Sequence, residues 1–309
     1  MTQHIFTPHV FYNAIGLGEP ALVISDGDSV VTQTLDAWGF DATGLRLAEP
    51  PNPMTGPFFI NGAEAGDALE IQIDRMTPTR DTGWTFSPVA GNVVNPATAA
   101  TLPQRSQAIW RLDANSKTAR LEDAPDGLEQ WSVPFAPMIG CFGVAPPLSQ
   151  AISTATSGQY GGNMDYRGFG PGAIARFPVS APGALFYVGD CHAVQGDGEI
   201  VGNGIETSFE IEFTVRILKA RKIGWPRGET SNSIFTVGNA RPLDQALQHA
   251  TSEMLEWLRE EFGLEPIAAS HILGQCVRYD IANAFNPAYS VVCRLSKQAL
   301  PHARRGDGG

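Results

Sequence analysis

From Glu206 to Leu218, polar and apolar side chains alternate without a break. Thr207, Phe209, Ile211, Phe213, Val215 and Ile217 fall on one face. Glu206, Ser208, Glu210, Glu212, Thr214 and Arg216 fall on the other. A period of two belongs to a long strand with one buried and one wet face. The acidic row is most simply that solvated face, and only Glu206, nearest the motif described below, invites a further role. Shorter stretches repeat the pattern. Leu69, Ile71 and Ile73 alternate with Glu70, Gln72 and Asp74, and Val30, Thr32, Thr34 and Asp36 share one face of a strand running from Ser29. Residues 21–24, 58–60, 108–112 and 289–295 read as further strands. Lys117 to Leu121 is a hairpin partner for 108–112 across Asn115-Ser116-Lys117. The 33 glycines and 23 prolines among 309 residues also favour short strands joined by turns over long helices. Pro50 to Pro57 is too proline-rich for a helix or a central strand. Residues 78–101 read as turn-rich, and 133–146 as a buried extended segment running close to other backbone.

The periodicity changes after Arg241. Leu243, Ala246, Leu247, Ala250, Met254, Trp257 and Leu258 lie on a helical stripe, which predicts a helix over 242–262 ended by Gly263. Pro266 opens a second helix to about Cys276. His249 and His271 lie on these helices and read as structural or exposed. The fold class that follows is mainly β, sandwich- or barrel-like, with a C-terminal α/β portion, α+β overall. Three regions are expected: 1–130, β; 131–240, β and carrying the site; and 241–309, helix-helix-strand packed on the β core. Residues 302–309 read as a frayed tail.

Charge narrows the partners. With 32 acidic and 21 basic residues the formal charge is −11, and no basic run offers a footprint for nucleic acid. No window of ~18 uninterrupted apolar residues appears, so no membrane span is expected. Met1-Thr2-Gln3-His4-Ile5 lacks the basic and apolar regions of a secretory leader. The four cysteines form no C-x-x-C pair, and they read as reduced thiols of a cytoplasmic protein.

Chemistry concentrates in Gly189-Asp190-Cys191-His192-Ala193-Val194-Gln195-Gly196-Asp197-Gly198-Glu199. Asp190 and His192 are two apart, so on extended backbone they leave one face and Cys191 the other. Gly196 and Gly198 permit a turn that folds Glu199 back toward them. Carboxylate oxygens with an imidazole nitrogen suit zinc or a similar divalent cation. A solvated acidic turn is the plainer alternative. In Tyr160-Gly161-Gly162-Asn163-Met164-Asp165-Tyr166, adjacent glycines let backbone approach another group, or form an ordinary turn. There is no nucleophile elbow, P-loop or dinucleotide fingerprint. Metal-assisted chemistry is the physical default.

Several further segments, taken together, resemble the acetamidase/formamidase family from about Asp26 to Leu300. They are Gly27-Asp28 followed by Thr34-Leu35-Asp36-Ala37; Asn52-Pro53-Met54-Thr55-Gly56-Pro57; Gly62-Ala63-Glu64-Ala65-Gly66-Asp67; Pro137-Met138-Ile139-Gly140 with Gly143-Val144-Ala145-Pro146; Gly161-Gly162-Asn163-Met164-Asp165; and Pro182-Gly183-Ala184-Leu185-Phe186. The motif at 189–199 completes the set. The resemblance implies hydrolysis of small linear carboxamides to carboxylate and ammonia, a homodimer or larger assembly, and bound divalent metal, zinc and sometimes calcium. It implies metal binding by Asp36, Asp190 and His192, and Glu199 as general base. Asp165 and Asn163 would hold metal or substrate amide, with Glu206 a further catalytic candidate. Two positions depart from the family pattern. Tyr160 stands where histidine is expected, and Trp38 where a small or polar residue is expected; both bear on substrate binding. The competing readings are a hydrolase of lactams or larger amides and a non-catalytic metal-binding β-domain.

Overall fold

The computed structural model describes residues 1–301; the tail at 302–309 lies outside the described residues. The long alternation becomes strand Phe209–Leu218, which lies inside a nine-stranded sheet. The sheet order is Gln3–Phe6, Ser29–Thr34, Phe209–Leu218, Ala68–Pro78, Ile174–Pro178, Arg227–Glu229, Ser233–Ala240, Tyr289–Ser296 and Arg278–Asn283. The first two strands pair in parallel, and the other pairings are antiparallel. Strands from early, middle and late sequence therefore share one sheet.

A six-stranded sheet runs Ser157–Gly158, Gly161–Asn163, Met138–Gly143, Phe186–His192, Thr55–Asn61 and Leu22–Ser25. The two sheets meet through aromatic side chains. Phe213 of the larger sheet packs edge-on against Phe58 and Phe186 of the smaller, with ring centroids 5.3 and 5.2 Å apart. Phe177 meets Phe142 at 5.1 Å in the same way. Edge-to-face geometry places a positive ring edge on a negative ring face and adds to the burial itself. The apolar face of the alternation is thus the core between sheets, while Glu210 and Glu212 pair with Arg75 on the opposite face. A four-stranded sheet (Val133–Pro134, Thr118–Leu121, Ser106–Asp113, Thr82–Ser87) meets the site through backbone bonds between Trp84 and Glu206.

The mainly β, α+β reading holds, and the two helices fall where the periodicity put them, at Leu243–Phe262 and Pro266–Cys276. Gly263 takes the left-handed conformation that closes the first, at φ +62°. Met254, Trp257 and Leu258 pack on Ile234, Cys293 and Leu295 of the large sheet. No helix of the described residues is long and apolar enough to cross a membrane.

One ion pair lies under this helix. Arg227, 1% exposed, donates to Glu253 at 2.6 Å and to Glu260 at 2.9 Å. Glu253 also accepts from the backbone of Gly224 and Trp225. Removing one partner strands a buried charge, which costs about 3–5 kcal/mol. Glu253→Ala should fall at the lower end because Glu260 still reaches Arg227. Urea unfolding of the variant checks this, and an unchanged midpoint would show that the pair contributes nothing net.

Three expectations need correction. Thr55, Gly56 and Pro57 open a strand with neighbours on both sides. The register shifts between Phe186 and Val188 opposite them, and such an irregularity is where a sheet tolerates a residue with no N–H. Residues 78–101 are not all turn, because Thr82–Ser87 forms a strand whose Gly83 and lack of alternation hide it. Gly161–Asn163 is likewise a strand and not a turn.

Candidate active site

Strand Phe186–His192 is buried along its whole length between Met138–Gly143 and Thr55–Asn61, and it delivers Asp190 and His192 at its end. The backbone is not regularly extended there. Asp190 has φ +53°, and Asp165 and Glu199 are also left-handed, at φ +47° and +48°. Such conformations cost non-glycine residues about 1–3 kcal/mol each and gather at functional sites. The side chains nonetheless converge. His192 Nε2 lies 3.5 Å from Asp190 Oδ1 and 2.9 Å from Glu206 Oε1. The turn from Gly196 to Glu199 brings Glu199 back, and it is anchored where Gly198 bonds Ile281 and Ala284. Gly140 makes room for the acids. A Cβ there would lie 2.6 Å from Asp165 Oδ1 and 2.7 Å from the Asp190 carbonyl oxygen.

Two overlapping sets of ligand atoms result, Asp165–Asp190–His192 and His192–Glu199–Glu206, each within 4.8 Å. All five residues are buried. Among the described residues, Asp165 Oδ1, Asp190 Oδ1, His192 Nε2, Glu199 Oε2 and Glu206 Oε2 have no hydrogen-bond partner. The close approach of His192 Nε2 to Glu206 is therefore a charge contact without hydrogen-bond alignment. Burial raises the Asp165 carboxyl to about 7, with Asp190 adding to the shift. Burial raises Glu206 to about 8, and Glu199 rises well above the ordinary range through burial and Asp165. At His192 burial opposes the charged ring, but Glu206 and Asp190 outweigh it and raise its pKa well above the usual value. Like charges this crowded favour a bound cation or retained protons.

Three amides complete the arrangement, and sequence reading missed them. Gln195 Nε2 donates to the carbonyls of Asp165 and Ala282 at 2.6 and 3.3 Å. Its Oε1 must then face His192 Nδ1, 2.8 Å away. A neutral His192 consequently carries its proton on Nδ1 and turns the Nε2 lone pair into the cluster. Asn286 Nδ2 donates to Asp165 Oδ2 at 2.6 Å. Asn52 Nδ2 reaches Asp190 Oδ2 and Asn163 Oδ1, both at 3.0 Å. Gln195 lies within the glycine-rich motif and Asn52 within the proline run, so both had a local signal. Asn286 had none.

The other candidates divide. Asn163 and Trp38 line a cavity of about 220 Å³ with Asn52, Asp190, Glu199 and Glu206. Asp36 is buried beside the site but turned from the cluster. Its Oδ1 accepts from the backbone N–H of Trp38 and Phe40, and its Oδ2 from Arg80 and Trp84 Nε1. With four donors already bound, it is not among the ligand sets. Tyr160 is also outside the cavity. Its hydroxyl donates to Thr156 O and its ring packs in an apolar cluster with Cys141 and Tyr187. Cys191 faces the core, as alternation required.

The family model described as the Acetamidase/Formamidase family matches residues 41–150 and 147–252. The chain belongs to the acetamidase/formamidase family. An acetamidase of Mycolicibacterium smegmatis is 28% identical over 253 residues, 66% of this chain and 62% of that protein. This chain therefore aligns with about three fifths of that relative's length. Among solved structures, an acetamidase from Yersinia enterocolitica is 31% identical with a TM-score of 0.84, covering 97% of this chain and 93% of its own. An acetamidase from Bacillus halodurans is 25% identical with a TM-score of 0.81, covering 94% and 97%. Membership accounts for the mainly β architecture and for the segments around Asn52, Asp165 and Asp190 that carried the resemblance.

Proposed function

We propose that this acetamidase/formamidase family member hydrolyses the C–N bond of small linear carboxamides to carboxylate and ammonia. The observation that carries the reading is a buried cluster of five atoms unpartnered among the described residues, from Asp165, Asp190, His192, Glu199 and Glu206, of which Asp190, Glu199 and Glu206 line a cavity of about 220 Å³. Sites for drug-sized ligands run to ~300–1,000 Å³, so this one suits a small molecule. One imidazole nitrogen with several carboxylate oxygens fits a divalent cation, zinc first and calcium second. Asp165, Asp190 and His192 would hold it. When bound, such a cation supplies a Lewis acid and a water of lowered pKa.

The chain's own groups supply the rest. Glu199 lines the cavity and takes the proton of the attacking water. Having taken that proton, the Glu199 carboxyl can pass it to the departing amine. Asn52 and Gln195 hold Asp190 and His192 in place. Asn163 accepts from Asn52 through Oδ1, which leaves its Nδ2 to meet the substrate carbonyl. Glu206 faces His192 and tunes its charge. A cytoplasmic setting and assembly into homo-oligomers belong to the same reading.

The test is ammonia release from formamide, acetamide, a lactam and a longer amide. Turnover confined to the first two supports the proposal. Turnover confined to the lactam or the longer amide overturns the substrate class, and cation binding without turnover overturns the enzyme. A second measurement examines Gln195. Gln195→Leu removes the acceptor that sets the His192 tautomer and should weaken zinc binding about 10–100-fold. Calorimetric titration of zinc into the metal-free protein reads this directly. Unchanged affinity would remove Gln195 from the site.

A further inference from the structure

A second cavity of about 270 Å³ lies beside the first, and Trp38 and Trp84 line both. Their rings lie 4.3 Å apart between centroids, tilted by 35°. The pair forms the partition between the two spaces. Its halves are held differently. Trp84 is buried, donates from Nε1 to Asp36 Oδ2 at 3.1 Å and bonds through its backbone to Glu206. Trp38 is half-buried, and among the described residues its indole N–H makes no hydrogen bond. Its hydrogen bonds run through the backbone, by N–H donation to Asp36 Oδ1 and by its carbonyl accepting from Arg46, while its ring is held by packing alone, on Trp84 and on Phe86 at 5.5 Å.

Beyond the tryptophans, the far space is lined by Phe40 and Ile109 and by the polar side chains of Asp36, Arg80, Thr82 and Gln107. Arg80 is already committed to Asp36 and Thr207, so it offers no free charge for an anion. Hydrocarbon suits such walls better than a charged tail does.

We propose that Trp38 is the specificity-determining side chain, ending the acyl pocket and restricting this enzyme to short aliphatic amides. The inference rests on the amide-hydrolase reading above and adds the chain-length limit and the residue that sets it. Opening the partition joins the two cavities and admits a longer aliphatic acyl chain along Phe40 and Ile109. Within a hydrophobic pocket each methylene is worth about 10–200-fold in discrimination.

The experiment measures ammonia release from straight-chain amides, formamide to hexanamide, by wild type, Trp38→Phe and Trp38→Ala. The ratio of kcat/KM for hexanamide over acetamide should rise about tenfold or more in Trp38→Ala, and by less in Trp38→Phe. Thermal unfolding and cation content show whether each variant is folded and loaded; if the alanine variant is not, the phenylalanine variant decides. A wild type active on short amides with the same chain-length ratio in a folded variant overturns the inference and leaves the amidase reading standing. A wild type silent on every amide overturns both.

Discussion

Stripping divalent cations with a chelator is expected to abolish ammonia release from formamide and acetamide, and adding zinc back should restore it. His192→Ala should give the same loss with no recovery. The reason is electrostatic. Four buried carboxyl groups, Asp165, Asp190, Glu199 and Glu206, surround one imidazole. Two like charges ~4 Å apart repel by about 4 kcal/mol at an effective dielectric of 20. A divalent cation converts that repulsion into attraction, while protons would only remove it. His192 Nε2 belongs to both ligand sets, so its loss damages either arrangement. Elemental analysis alongside the assay decides the matter. Full turnover in protein shown to be free of metal would end the metal-dependent reading.

Glu199→Gln is expected to lower kcat by about 10²- to 10⁴-fold, the usual contribution of a positioned acid–base group. Glutamine keeps the shape and one oxygen but neither accepts nor returns a proton at neutral pH. The placement of Glu199 allows another role, because it also belongs to the second ligand set with His192 and Glu206. Cation content separates the two. A large fall in kcat at unchanged zinc stoichiometry assigns proton transfer to Glu199. A parallel fall in both would make it a ligand, and near-normal kcat would exclude it from the reaction.

What was legible in the sequence shared a simple physical basis. Strand Phe209–Leu218 and helix Leu243–Phe262 each show one uninterrupted period, so their buried faces could be read residue by residue. Asp190, His192 and Glu199 lie within ten residues, and one glycine turn joins them. Other parts had no local signature. Strand Arg278–Asn283 lies at a sheet edge, and its polar–apolar alternation is only four residues long, with Tyr279 and Ile281 left exposed where a core face would be expected. Asn52 and Asn286 act through uncharged amides across 138 and 121 positions. Asp36 was placed on the right face, but nothing in its neighbourhood announced that Arg80 and Trp84 would occupy its oxygens. Tyr160 sits beside the right glycines, yet left-handed backbone at Gly161 and Gly162 separates its direction from that of Asn163.

The late segment that holds Gly198 and Asp165 has a consequence for synthesis. Asn286 must reach Asp165, and Ile281 and Ala284 must grip Gly198, before the cluster takes its final geometry. The acids and the histidine leave the ribosome well ahead of that segment. Roughly 80 residues separate Glu206 from Asn286, or ~4–16 s at ~5–20 residues per second. During that interval Asp165 and Gly198 lack the late partners that hold them in the folded chain.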